Sequence, residues 1–216
     1  MTNKKYFFIG IGGIGMSSIA QYLHEKENII LGYDASENKS IKILLKKGID
    51  VINKLSLKSI PDYMKKDDVI VVYTPAIPDD NIFLKYFRKN GNNQIYKRSE
   101  MLGEISKQSK CIAVAGTHGK TTTCAIISHL FHSSGIHFKA FIGGIMKCFD
   151  SNFINTGNDY IIVEADEYDR SFLNLNPNYA VITSIESDHL DIYGCLLYTS
   201  DAADEGLGVD LGGRRI

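Results

Sequence analysis

Two glycine-rich turns, each wedged between an apolar strand-like run and a helix-like run, constrain this chain more than any other feature. The first is Gly10-Ile11-Gly12-Gly13-Ile14-Gly15, after Tyr6–Ile9 and before a segment from about Ile14 to Glu27 with helical spacing in Met16, Ile19, Ala20 and Leu23. The second is Gly116-Thr117-His118-Gly119-Lys120-Thr121-Thr122, between a Cys111–Ala115 strand and a Lys120–Ser134 helix closed by Gly135. A strand that turns through glycines into a helix is the first step of a parallel crossover. Two such steps about a hundred residues apart predict two successive α/β units.

The rest of the chain alternates in the same way. Ile29–Tyr33 reads as a strand. Ser36 then reads as the N-cap of a helix carrying Ile41, Leu44 and Leu45 inward and ending at Lys46-Lys47-Gly48. Val69–Tyr73 is fully apolar, the pattern of a central parallel strand, and Pro75 and Pro78 end any ladder beyond it. Asp80–Asn90 reads as helix, Gln94–Tyr96 as strand, and Lys97–Gln108 as a charged, helix-like connector. After it, His137–Ile142, Tyr160–Glu164 and Tyr179–Ser184 are strands of the second unit, whose pattern stops near Gly194. The expected fold is α/β: a Rossmann-like parallel-sheet domain over residues 1–108, then a truncated α/β P-loop domain over 109–194. Residues 195–216 lack periodicity, and the run from Cys195 to Glu205 resembles the translation of a synthetic adaptor used in DNA library preparation. The natural reading frame is expected to end near Gly194, with 195–216 a non-native or disordered tail.

Composition narrows the class. With 24 Lys and Arg against 25 Asp and Glu, the net charge of −1 gives no basis for a dedicated nucleic-acid or membrane-surface binder. No stretch approaches the roughly 20 apolar residues of a membrane helix. Lys4-Lys5 and the apolar run after them are broken at once by glycines, unlike a signal peptide. The four cysteines show no CxxC pairing, so neither a disulfide framework nor a zinc ribbon is expected. The expected setting is a reduced cytoplasm.

Four constellations carry chemistry. At the first turn, Gly10, Gly12, Gly13 and Gly15 allow close approach of backbone N–H groups and a helix N-terminus to a phosphate. Asp34 ends the next strand about 20 residues on, where a carboxylate meets a ribose hydroxyl. This pattern alone admits NAD, and equally a turn whose glycines serve helix–strand packing. At the second turn, backbone N–H groups, Lys120 and the Thr121 hydroxyl suit a triphosphate with Mg²⁺, although Val114 stands where the full P-loop spacing has its first glycine. Third, Glu164-Ala165-Asp166-Glu167-Tyr168-Asp169 follows an apolar strand. Glu164, the first polar residue out, is the best metal ligand, whereas Glu167 and Asp169 suit a solvated turn. Fourth, Glu186, Asp188, His189 and Asp191 follow the next strand, where they can complete a second metal site. His129, His132 and His137 superficially suggest zinc, without a further ligand cluster in support.

Taken together, the segments Phe8–Ser17, Thr74–Pro78, Arg98–Leu102, Val114–Thr123, Val163–Leu173 and Asp188–Gly194 resemble, in order, the Mur ligases of peptidoglycan synthesis, and within them the alanine-adding branch. The resemblance covers residues 5–194. It implies that the first domain holds a UDP-sugar rather than NAD, through Gly10, Gly12, Gly13, Gly15, Met16, Ser17 and Asp34. It implies ATP on Gly116, Thr117, His118, Gly119, Lys120, Thr121 and Thr122, with Mg²⁺ on Thr121, Glu164 and His189. Lys120, Glu164 and His189 become the catalytic set, while Gly143, Gly144 and Ser171 line the muramyl pocket. The implied partners are UDP-N-acetylmuramate, L-alanine and ATP, joined through an acyl phosphate on the lactyl carboxylate. The family's third domain, which closes over the site, and its later adenine-contacting residues are absent, so the chain alone is expected not to ligate. The alternatives are the sister ligase that attaches a recycled tripeptide to the same sugar, an NAD-dependent oxidoreductase, and a non-catalytic nucleotide-binding module.

Overall fold

The computed structural model describes residues 3–66, 68–89, 93–166 and 168–185, and for 168–170 the backbone alone. Cys195 and the rest of the 195–216 segment lie outside the described residues.

The first sheet contains β1 (Lys5–Ile9), β2 (Ile29–Tyr33), β3 (Asp50–Ile52), β4 (Val69–Tyr73) and β5 (Ile95–Lys97). Its order is β3-β2-β1-β4-β5, parallel throughout. The chain winds outward from β1 to β3, then returns to start the other half at β4. The carboxyl ends of β1 and β4 therefore flank the crevice where ligands of open α/β sheets sit. Helices α1 (Ile14–Glu25), α2 (Lys39–Lys46), α3 (Ile82–Lys89) and α4 (Arg98–Ser106) cover this sheet.

The second sheet contains β6 (Lys110–Ala115), β7 (Phe138–Met146), β8 (Ser151–Asn155), β9 (Tyr160–Glu164) and β10 (Tyr179–Ile182), in the order β10-β6-β9-β7-β8. Helix α5 (Lys120–Ser133) follows β6 directly. The pairings are parallel except for β8, which runs antiparallel to β7 and makes the sheet mixed.

Helix α1 joins the two sheets. Every residue from Met16 to Leu23 is buried, the signature of a helix enclosed on all sides rather than an amphipathic one. Met16, Ile19, Ala20 and Leu23 belong to a core shared with β1 and β2. The opposite face meets β7 and β8: the Tyr22 ring packs edge-on against Phe141 and Phe153 at 5.6 and 5.9 Å. Around these rings runs a buried polar network. Gln21 Nε2 donates to Asn152 Oδ1 (2.9 Å), Asn152 Nδ2 to Ser17 Oγ (2.9 Å) and the Ile14 carbonyl (2.5 Å), and Ser151 Oγ to Gln21 Oε1 (3.1 Å).

Two local expectations change. Asn38, not Ser36, caps α2, accepting from the Ile41 amide at 3.0 Å, while the Ser36 hydroxyl donates to Asp34 at 2.6 Å. The helix therefore starts at Lys39. The two remaining strands, β3 and β8, carry too little apolar sequence to be read from the chain. Among the described residues no helix is long and apolar enough to cross a membrane, and Cys111, Cys124 and Cys148 are free thiols.

Candidate active site between the two sheets

The first glycine turn is held by its own chain. The Gly10 and Ile11 amides donate to the Tyr33 carbonyl at the end of β2 (2.8 and 3.1 Å), and the Gly12 amide donates to Asp34 Oδ2 at 2.7 Å. Asp34 Oδ1 accepts from the Ser36 amide and hydroxyl (2.9 and 2.6 Å), so its carboxylate organises this turn with both oxygens. A Cβ at Gly12 would lie 2.8 Å from that same Oδ2, which is why a side chain is excluded there. Met16 and Ser17 follow the turn but are 1% and 0% exposed, packed into the joint between the sheets. Gly15 is different: a Cβ there would meet Arg98 Nη1 at 2.7 Å, so this glycine admits a guanidinium from α4.

The second turn stands on the end of β10. The Thr117 amide donates to the Ser184 carbonyl and the His118 amide to Ser184 Oγ, both at 3.0 Å. The Thr183 hydroxyl lies within hydrogen-bond reach of the carbonyls of both Ala115 and His118, between which it shares its single proton. Gly116 and Gly119 adopt φ of +124° and +84°, values that favour glycine. Lys120 curls back over the turn, Nζ donating to the Gly116 carbonyl at 2.6 Å and the Thr117 carbonyl at 3.3 Å. These contacts keep the ammonium inside the loop whose N–H groups suit phosphate.

Glu164 at the end of β9 ties this turn to β7. Thr121 Oγ1 donates to Glu164 Oε2 (3.1 Å), and the Gly143 amide to Oε1 (2.7 Å). A Cβ at Gly143 would lie 2.5 Å from Oε2. The Thr121 hydroxyl and Glu164 carboxylate are hard oxygen donors at the mouth of the loop, a fit for a divalent cation that keeps several waters. Among the described residues no group of three or more His, Cys, Asp and Glu side chains is placed to hold a metal. His129 and His132 lie exposed on α5.

The end of the first turn (Ile14 and Gly15) and Lys120 of the second line one cavity of about 240 Å³, together with Ser18, Arg98, Gly143 and Glu164 among others. Arg98 and Asp166 close its floor, Arg98 Nη2 donating to Asp166 Oδ2 at 2.8 Å. Ser171 is 6% exposed and borders an adjoining pocket shared with Arg98, Glu164 and Asp166. Its hydroxyl has no hydrogen-bond partner among the described residues. Glu186, Asp188, His189 and Asp191 lie outside the described residues.

Two family models account for most of the chain: the Mur ligase family catalytic domain over residues 5–110, and the Mur ligase middle domain over 114–199. The chain belongs to the Mur ligase family. Similar curated Mur ligases include the UDP-N-acetylmuramate–L-alanine ligases of Christiangramia forsetii and Porphyromonas gingivalis, 45% and 47% identical over 193 residues. Each alignment covers 88% of this chain and 42% of the relative, so the chain spans less than half the length of these relatives. Among solved Mur ligases, the UDP-N-acetylmuramate–alanine ligase of Thermotoga maritima superposes with a TM-score of 0.81 at 32% identity, over 93% of this chain and 46% of its own. The UDP-N-acetylmuramate:L-alanyl-gamma-D-glutamyl-meso-diaminopimelate ligase of Neisseria meningitides reaches 0.80 at 25%, over 93% and 66%.

Within this Mur ligase chain, most of the glycine-turn residues were legible from sequence. Sequence alone places Arg98 in a family segment without a role and extends the last strand to Ser184. The structure ends that strand at Ile182, so Thr183 and Ser184 stand just past it, where a parallel sheet presents functional side chains.

Proposed function

We propose that this chain is the UDP-sugar- and ATP-binding part of a UDP-N-acetylmuramate–L-alanine ligase, acting in the cytoplasm, with residues 1–108 and 109–194 as its two domains. The observation that carries this reading is the shared cavity: Gly15, at the end of a diphosphate-type turn, and Lys120, of a triphosphate-type turn, line one space, as joining a UDP-sugar to a phosphoryl donor requires.

In this reading the Gly10–Gly15 turn takes the UDP moiety and the Gly116–Thr122 turn takes ATP. Lys120 leaves the carbonyls of Gly116 and Thr117 for β- and γ-phosphate oxygens, a short swing for a side chain already in the loop. Thr121 and Glu164 would hold Mg²⁺, which when bound neutralises charge on the phosphates. His189 is assigned to a second cation by the family resemblance alone. Ser171, with its unpartnered hydroxyl, supplies a donor toward the sugar. The lactyl carboxylate is phosphorylated to an acyl phosphate, and the amine of L-alanine then displaces phosphate to leave an amide.

The support for L-alanine over a tripeptide is the run of alanine-ligase relatives at 43–47% identity. The test is calorimetric titration of the chain with UDP-N-acetylmuramate, ATP–Mg²⁺ and NADH, alongside a phosphate-release assay. Saturable binding of the first two without NADH binding is expected. NADH binding in place of the UDP-sugar would sink the reading, and phosphate release dependent on both UDP-N-acetylmuramate and L-alanine would show ligation by this chain.

A further inference from the structure

We propose that Arg98 is an anion-binding residue of the UDP-sugar site, held in reserve by Asp166 and handed to an acidic group of the ligand. The inference rests on the UDP-sugar reading above and adds a specific contact to it.

Three observations support it. The first is position. Arg98 is the first residue of α4, where the helix dipole disfavours a cation, so a guanidinium there calls for an anion. It reaches across to the first turn of α1 and the end of β9 at once, in the space that Gly15 leaves open. The second is accessibility. The Arg98 side chain is 20% exposed and that of Asp166 36%, and both line the cavity, so a ligand anion entering it can replace the Asp166 carboxylate on the guanidinium. The joint between the sheets is held instead by the Gln21–Asn152–Ser17 network and the Tyr22 rings, so Arg98 can leave Asp166 without loosening the fold. The third is the Ser171 hydroxyl, nine-tenths buried, bordering the same pocket as Arg98 and without a hydrogen-bond partner among the described residues. A donor without a partner beside a forked cation matches a ligand oxygen, and the planar guanidinium suits a carboxylate or diphosphate bidentately.

Two acidic groups of the ligand have this chemistry, the diphosphate and the lactyl carboxylate. The experiment is calorimetric titration of the 216-residue chain with UDP-N-acetylmuramate and with UDP-N-acetylglucosamine, which keeps the diphosphate and lacks the carboxylate. Arg98→Gln should weaken UDP-N-acetylmuramate binding tenfold or more. Asp166→Asn, which frees Arg98, should tighten it severalfold. An ion pair that only braces the fold cannot give these opposite signs. An Arg98→Gln loss seen with both sugars assigns the diphosphate, and one confined to the muramate assigns the carboxylate. Unchanged affinity in Arg98→Gln overturns the proposal, as does Asp166→Asn at or below wild-type affinity, even where Arg98→Gln fails to fold. No UDP-sugar binding by the wild-type chain overturns the underlying reading, and this one with it.

Discussion

The two glycine turns look alike in sequence and are built in opposite ways. The first is tied into its own sheet: β2 supplies the Tyr33 carbonyl and the Asp34 carboxylate, and a side chain at Gly12 would collide with the latter. The second rests on two small hydroxyl residues past β10 and on a lysine that fills its own loop. Glycine in the first turn is a requirement of packing. The second needs glycine for packing and for backbone conformation alike, since Gly116 has a φ of +124° and a Cβ there would lie 2.8 Å from the Ser184 backbone, but its central contact is a cation rather than a carboxylate. Similar motifs thus differ in the charge of the side chain at their centre, a fixed carboxylate in one and a loop-bound ammonium in the other.

Substitutions in the two turns should separate these roles. Lys120→Ala should have the largest effect, lowering ATP affinity by about 2–4 kcal/mol, some 30- to 1,000-fold, with little change in the melting temperature. A matching loss of thermal stability would show that the second turn, like the first, is part of the fold. Gly12→Ala should do the reverse. Overpacking costs about 1–3 kcal/mol, which lowers the melting temperature by about 2–4 °C per kcal/mol in a chain this size, as thermal unfolding would report. Asn152→Ala strips partners from Gln21 and Ser17 in a buried joint and should cost about 1–3 kcal/mol in denaturant titration. Asn155→Ala, losing one exposed bond to Glu25, should cost at most a few tenths.

A separate, pH-dependent effect concerns Cys111 on β6 and Cys124 on α5. Burial pushes the Cys111 thiol up to about 11 from an ordinary 9.0 and raises Cys124 too, with the Glu164 carboxylate adding to the latter. The folded chain then keeps protons that the unfolded chain releases. Stability from this source is intact below pH 9.0 and falls as the pH rises toward about 11. A Cys111→Ala variant should show a shallower alkaline loss in unfolding measured against pH. Of Cys111, Cys124 and Cys148, alkylation of the native protein should modify exposed Cys148 first.

Local signals revealed much of this molecule, and long-range ones did not. Apolar runs such as Val69–Tyr73 and Tyr160–Glu164 identify themselves, because a strand buried on both faces has no polar residue to confuse it. Strand β8 is Ser-Asn-Phe-Ile-Asn, and its Ser151 and Asn152 are buried against α1, some 130 residues earlier, which hydrogen-bonds to them. The spacing of Met16, Ile19, Ala20 and Leu23 likewise showed one apolar face of α1, and nothing local announced that the other face is enclosed as well. In the site, glycines and Lys120 carry a motif, whereas Arg98 and Asp166 acquire meaning only when 68 residues of chain fold back between them.

The double burial of α1 bears on how the chain comes off the ribosome. The first sheet can assemble while the partners of the second face of α1 are still unmade. For that interval Ser17, Ser18, Gln21 and Tyr22 face water. An all-apolar face there would be an adhesive patch on every nascent chain. Serines, a glutamine and a tyrosine tolerate the wait, then form their hydrogen bonds and ring contacts once β7 and β8 emerge.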